Sequence, residues 1–244
     1  MVTKMNATPR DDFSQSERSA IYRAIYERRD VRSHFLPDAI PDGVLGRVLD
    51  AAHHAPSVGF MQPWDFIVIE SASTRRAVYE NFERANRRSA QIYEGERRDL
   101  YDSLKLAGIL QAPVNICVTC DRSRLNGSGL GRQFDPMTDI YSTVCAVQNL
   151  WLAARAESLG VGWVSIVDKD ELKATLNIPP NLSVIAYLCV GYVSEFRPRP
   201  ELEEKGWEQR ESLSRLIHFD AWGTRDEARA RSLCAAPEAS ASRS

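Results

Sequence analysis

The sequence predicts an α+β fold, a central sheet of mixed but mainly antiparallel strands flanked by helices. Four short apolar strand patterns lie along the 244 residues, separated by segments of helical periodicity and with no internal repeat. The connections between them are long enough to allow either strand direction, so a regular doubly wound arrangement is not implied. At 43% hydrophobic content the chain can fill one sizeable core.

The elements follow in order. Ser14 and Glu17 form a capping-box pattern, after which Ala20, Ile21, Ala24 and Ile25 recur at helical spacing as far as Arg29. A second helix is predicted over residues 42–53, with Pro41 at its start and Val44, Leu45, Val48, Leu49 and Ala52 on one face. It stops at Ala55-Pro56, because the residue before a proline disfavours helix. A loop over 57–63 leads into a strand at 66–69. Residues 74–110 have a helical but strongly charged pattern, expected to form a solvated covering segment. A strand at 115–119, a glycine-containing loop at 121–136 and a long helix at 139–159 come next, with Gly160 as the stop of that helix. A strand at 162–167, a short helix at 170–176 and a strand at 184–193 complete the pattern. Residues 1–13 are expected to be a flexible N-terminus, 14–223 one domain, and 224–244, rich in Ala, Ser, Arg and Glu without apolar spacing, a disordered tail.

Thirty-one Lys and Arg against 33 Asp and Glu give a net charge of -2, which shows no global bias toward nucleic acid or an anionic membrane. Any anion site must therefore be local. No apolar run approaches the roughly 20 residues of a membrane helix, and the first 13 residues carry no secretory pattern, so a soluble cytoplasmic protein is expected. Five cysteines are an odd number, and Cys117, Cys145 and Cys189 lie in apolar contexts that suit reduced core thiols. Cys117 and Cys120 form a CxxC without a second pair at zinc spacing, and His53-His54 has no partner at useful spacing, so no metal site is expected. Gly127-Ser128-Gly129-Leu130-Gly131 lacks dinucleotide spacing and is a loop.

The segment Arg28-Arg29-Asp30-Val31-Arg32 places three arginines in five residues at a helix end. Guanidinium forks suit bidentate phosphate contacts, although basic side chains also collect at helix C-termini for the dipole alone. Further on stand Pro56-Ser57-Val58-Gly59-Phe60-Met61-Gln62-Pro63-Trp64 and, after the long helix, Gly160-Val161-Gly162-Trp163-Val164-Ser165. Taken alone, Trp64 is best explained as a core aromatic, and Ser165 alone means nothing.

In their order and spacing these segments resemble the FMN-dependent nitroreductase superfamily, over about residues 14–222. Within it the closest resemblance is to the aerobic branch that makes 5,6-dimethylbenzimidazole, the lower ligand of cobalamin. The resemblance implies a nitroreductase-like fold and a homodimer with FMN at the subunit interface. It makes Arg28, Arg29 and Arg32 flavin ligands, with Asp30 where ordinary nitroreductases carry serine and the dimethylbenzimidazole branch carries aspartate. Phe60 replaces the usual asparagine, while Ser57, Met61 and Gln62 are implied cofactor contacts. Gly162 permits close backbone approach and Ser165 offers a hydroxyl to the flavin edge. Arg210 is implied in phosphate binding, with Arg197 and Lys205 as competitors. Residues 81–105 match a lid, and Leu106 just beyond it is a further contact.

The implied reaction is the oxygen-dependent breakdown of reduced FMN to 5,6-dimethylbenzimidazole and erythrose 4-phosphate. Asp30 is the candidate for proton transfer at the ribityl chain and Ser165 the group bonded to the flavin. Reduced FMN would arrive from outside, from a flavin reductase, since no nicotinamide motif is visible. Two alternatives stay open: an NAD(P)H-dependent FMN nitroreductase or flavin reductase, and a flavin-binding protein without turnover. Without the resemblance, Asp30 is better read as a turn residue paired with Arg28 or Arg32.

Overall fold

The computed structural model describes residues 12–124 and 130–235. Most of residues 1–13, residues 127–129 of the glycine stretch and residues 236–244 of the expected tail lie outside them. Two compact units are present, a larger one over residues 24–201 and a smaller one made of the two chain ends.

In the larger unit a four-stranded sheet is built from Trp64–Ile69 (β1), Val114–Asp121 (β2), Leu159–Trp163 (β3) and Leu182–Tyr192 (β4), in the order β1-β2-β4-β3. All three pairings are antiparallel. The parallel element of the expected mixture survives only in an isolated bridge between Asp30 and Val161, at the β3 edge. The central strand β2 is buried on both faces, as its near-continuous apolar sequence requires. Its alternate residues serve two cores. Ile116 and Val118 join Leu188 and Val190 of β4 under Asp42–His53 (α2) and Thr138–Ala156 (α5), which contribute Leu45, Val48, Ala52, Leu150 and Ala154. Cys117, Tyr187 and Cys189 face the other way, against Val78 and Phe82 of Ala72–Ala90 (α3) and Leu172 of Lys169–Thr175 (α6).

Several boundaries differ from the sequence pattern. The charged stretch 74–110 breaks into α3 and Gly95–Ser103 (α4), with Gly95 at φ 52° between them. It is not simply solvated, because Phe82, Ala85, Ala90 and Tyr101 are buried and the Tyr101 hydroxyl donates to Asn86 Oδ1 at 2.6 Å. The long helix ends at Ala156, and Ser158, at φ 62°, turns the chain into β3. Gly160 is thus a strand residue, placed where the side chains of Val193 and Val31 occupy the position of its missing Cβ. The third strand begins at Leu159 and stops at Trp163, earlier than its apolar run suggests.

Cys145 is exposed, because it falls on the outer face of α5, whereas Cys117, Cys120 and Cys189 are buried free thiols. Among the described residues no helix is long and apolar enough to cross a membrane.

Helix Gln15–Glu27 (α1) starts as its capping box directs: Ser14 N donates to Glu17 Oε2 at 2.7 Å and Glu17 N to Ser14 Oγ at 3.3 Å. It buries none of its residues, leaving Ile21, Tyr22, Ile25 and Tyr26 exposed. Beyond Glu201–Glu204 (α7), the smaller unit holds Leu213–Leu216 (α8) and Glu227–Ala235 (α9). Part of the stretch expected to be disordered is therefore helical. Asp226 Oδ1 accepts from Arg229 N at 2.9 Å at the start of α9, and Arg229 lies over the Phe219 ring at 4.5 Å.

Candidate functional site

The RRDVR segment leaves α1 and runs along the exposed edge of β3. Val31 N donates to Val161 O at 2.9 Å, and the Val31 carbonyl lies only 1.9 Å from where a Cβ on Gly162 would stand. The glycine at 162 is therefore required by the close approach of this segment, a reason different from the flavin contact expected of it.

That approach holds Asp30 against the sheet. Its Oδ1 accepts the Trp163 backbone N–H at 2.9 Å, and its Oδ2 takes Arg32 at 2.6 Å. The carboxylate side chain is still 30% exposed, so it is oriented by two donors and open to a third partner.

The three arginines have three different roles. Arg32 is Asp30's ion-pair partner. Arg28 lies over the Trp151 ring at 5.2 Å. Arg29 donates to the carbonyls of Arg197, Tyr26, Arg28 and Pro198, which makes it a brace of the surrounding backbone instead of the free phosphate fork its sequence position suggested.

Arg197 and Arg199 join this neighbourhood. With Arg29, Asp30, Arg32, His34, Glu195 and Glu201 they line a recess in which four arginines face three carboxylates. Of the sequence candidates for a second basic group, Arg197 is the one that the larger unit brings to RRDVR. Arg210 belongs to the smaller unit, exposed between α7 and α8. Arg199 had not been singled out, although the repeat Arg197-Pro198-Arg199-Pro200 directly after β4 carried the signal.

Ser165 is exposed and opens onto a separate cleft of about 530 Å³, lined by Ala85, Arg88, Ser89 and Ile92 of the α3 end and by residues 166–170. That volume falls within the roughly 300–1,000 Å³ of small-molecule and cofactor sites. The cleft carries hydroxyls at Ser89 and Ser165, cations at Arg88 and Lys169 balanced by carboxylates at Asp168 and Asp170, and an apolar wall at Ile92 and Ile166, a lining that suits a flat polar ring and not its anionic tail. Leu106 is half-buried against the core under α3.

The 57–63 loop lies at the opposite sheet edge. Ser57 Oγ accepts from Gln62 N at 3.1 Å, and Arg124 holds the carbonyls of Gln62 and Trp64 and the Asp65 carboxylate. Gly59, Phe60 and Gln62 all have positive φ, so the loop stores backbone strain at two non-glycine positions. It turns Phe60 out to 79% exposure and buries Met61. Trp64 is a core residue whose Nε1 donates to His53 Nδ1 at 3.1 Å. Trp64 pairs with Cys120, Cys120 with Ser183, and Trp163 with Leu188. Three strand spacings and five residues of rise thus put Trp64 and Trp163 roughly 20 Å apart at the two sheet edges.

Residues 25–192 match the Nitroreductase family. The chain is 42% identical over 198 residues to a 5,6-dimethylbenzimidazole synthase of Rhodospirillum rubrum, covering 81% of this chain and 93% of that one. It is 40% identical over 198 residues to a 5,6-dimethylbenzimidazole synthase of Rhodobacter capsulatus, covering 81% and 95%. In structure it is similar to an iodotyrosine deiodinase crystallised with FMN and 3-iodo-L-tyrosine, at a TM-score of 0.65 and 23% identity over 82% of this chain and 100% of that one. The chain belongs to the nitroreductase family. Within that family, both of these relatives are dimethylbenzimidazole synthases.

Proposed function

We propose that this protein is an oxidoreductase that makes 5,6-dimethylbenzimidazole, the lower ligand of cobalamin, by breaking up reduced FMN with dioxygen and releasing erythrose 4-phosphate. The observation that carries the reading is Asp30. A carboxylate stands where ordinary nitroreductases carry serine, it is aimed by Trp163 N–H and Arg32, and it remains open to solvent. Cleaving a carbon bond of the ribityl chain needs a base beside the sugar hydroxyls, and a fixed carboxylate meets that need. The naming of the most similar relatives supports the same activity.

In this reading the flavin supplies the redox chemistry. Arg28, Arg32, Arg197 and Arg199 hold the phosphate end, Asp30 moves a proton at the ribityl chain, and Ser165 hydrogen-bonds the ring in the cleft beside α3. The α3 end, in the segment 81–105 read as a lid, lines that cleft, and its closure over the ring would exclude water.

A second copy completes the site. Support comes from the placement of the Ser57 loop beside β1 and of Asp30 beside β3, at opposite edges of the sheet, and from the exposed apolar residues of α1 and Phe60, which one chain leaves uncovered. In a homodimer, Ser57 and Gln62 of one copy approach the flavin bound by RRDVR of the other. Reduced FMN is delivered by a separate flavin reductase in the cytoplasm.

The test is direct. Purified protein mixed with chemically reduced FMN in air yields dimethylbenzimidazole, identified by absorbance and mass. NAD(P)H oxidation with intact FMN and no benzimidazole would instead identify a reductase of the same family.

A further inference from the structure

We infer that Asn81, on the inner face of α3, is a positioning residue for Ser165. The inference rests on the reading of Ser165 as the group that touches the flavin.

Ser165 sits between two anchors. Upstream, the last sheet hydrogen bond is Val164 N to Tyr187 O at 2.8 Å. Downstream, the Asp168 peptide is gripped on both sides by the Asn81 carboxamide: Asn81 Nδ2 donates to Asp168 O at 2.8 Å, and Asp168 N donates to Asn81 Oδ1 at 2.8 Å. The carboxamide thereby imitates a neighbouring strand. Asn81 is 1% exposed, so both bonds are shielded from competing water. Asp168 in turn starts α6, its Oδ1 accepting from Asp170 N and Glu171 N at 3.1 Å each. Besides Ser165, only Ile166 and Val167 lie between the anchors, tightened by Val167 N to Ser165 O at 3.1 Å.

The same helix supplies the facing wall. Ala85, Arg88 and Ser89 line the cleft and follow Asn81 at helical spacing on one face of α3, with Ile92 just past its end. Asn81 therefore sets the distance between the wall under the lid and the serine hydroxyl opposite it. Arg84 to Glu171 at 2.7 Å and Arg88 to Asp168 at 3.4 Å repeat the α3–α6 link at the exposed rim, where such pairs contribute little.

The experiment compares N81A, S165A and the double variant with chemically reduced FMN in air, reading dimethylbenzimidazole formed per FMN consumed, FMN affinity, and hydrogen exchange at the Asp168 amide. In N81A the yield is expected to fall by about tenfold to a hundredfold, the scale of a misplaced reacting group. FMN affinity holds, the Asp168 amide exchanges faster, and the double variant is no worse than S165A. A wild-type yield in N81A, beside a lost yield in S165A, overturns the role of Asn81. A wild-type yield in S165A overturns the reading of Ser165 itself. N81D keeps the acceptor for Asp168 N–H and loses the donor. Its yield falls between wild type and N81A, and it carries the same comparison if N81A folds poorly.

Discussion

Asp30 and Gly162 act on each other through one close contact. Since the Val31 carbonyl occupies the place of a Cβ on Gly162, G162A must push the RRDVR segment off β3. The expected cost is on the order of 1–3 kcal/mol, as for other overpacked sites, measured by denaturant unfolding, with dimethylbenzimidazole yield falling because Asp30 loses the Trp163 N–H. D30N tests the charge without the displacement. It keeps the shape, loses proton transfer, and is expected to lower the fragmentation rate by about 10²–10⁴-fold while FMN still binds. Fragmentation at the wild-type rate with intact FMN binding would remove Asp30 from the chemistry.

Helix α6 depends on its first residue and the sheet on its thiols. Asp168 caps two backbone N–H groups, so D168A is expected to cost about 1 kcal/mol in thermal or denaturant unfolding. It should leave the Asn81 bonds intact, because those go to the Asp168 backbone. On β2 and β4, burial pushes the thiols of Cys117 and Cys189 from 9.0 up to about 12. The folded state therefore keeps protons that the unfolded chain releases. Stability is full below about pH 9 and falls as the pH rises toward 12, by about 1.4 kcal/mol per pH unit for each thiol. Unfolding free energies should be flat from pH 8 to pH 9 and fall from there to pH 10.5, and a C117A/C189A variant should fall less steeply.

For the molecule as a whole, the Ser57 loop and Asp30 lie at opposite edges of the sheet, and in the proposed site a second copy brings the two together. A homodimer has twice the 27.5 kDa of the chain, which light scattering or sedimentation reads directly. Ile25 is exposed on the α1 face that a single chain leaves uncovered, so I25E is expected to weaken dimer and FMN affinity together. FMN affinity unchanged in a monomeric variant would show that one chain completes the site.

The sequence by itself determined the α+β class, the capping box at Ser14 and Glu17, α2 to the residue, and Trp64 as core. These follow from periodicity and local hydrogen bonding, which act over a few residues. It also determined the family, through the order of RRDVR, PSVGFMQPW and GVGWVS, and it singled out Asp30 as the residue to test. Boundaries failed where a long-range contact overrode the local pattern. Gly160 stops no helix because Val31 and Val193 pack where its side chain would be, and 74–110 breaks at residues 91–95 so that Tyr101 can reach Asn86. Only the tertiary structure decided which arginine does what. Side chains three residues apart in sequence look alike until folding gives Arg29 backbone carbonyls, Arg32 a carboxylate and Arg28 an indole. Asn81 likewise carries no sequence signal, since its partner is a backbone peptide 87 residues away that only the packing of α3 on α6 brings within reach.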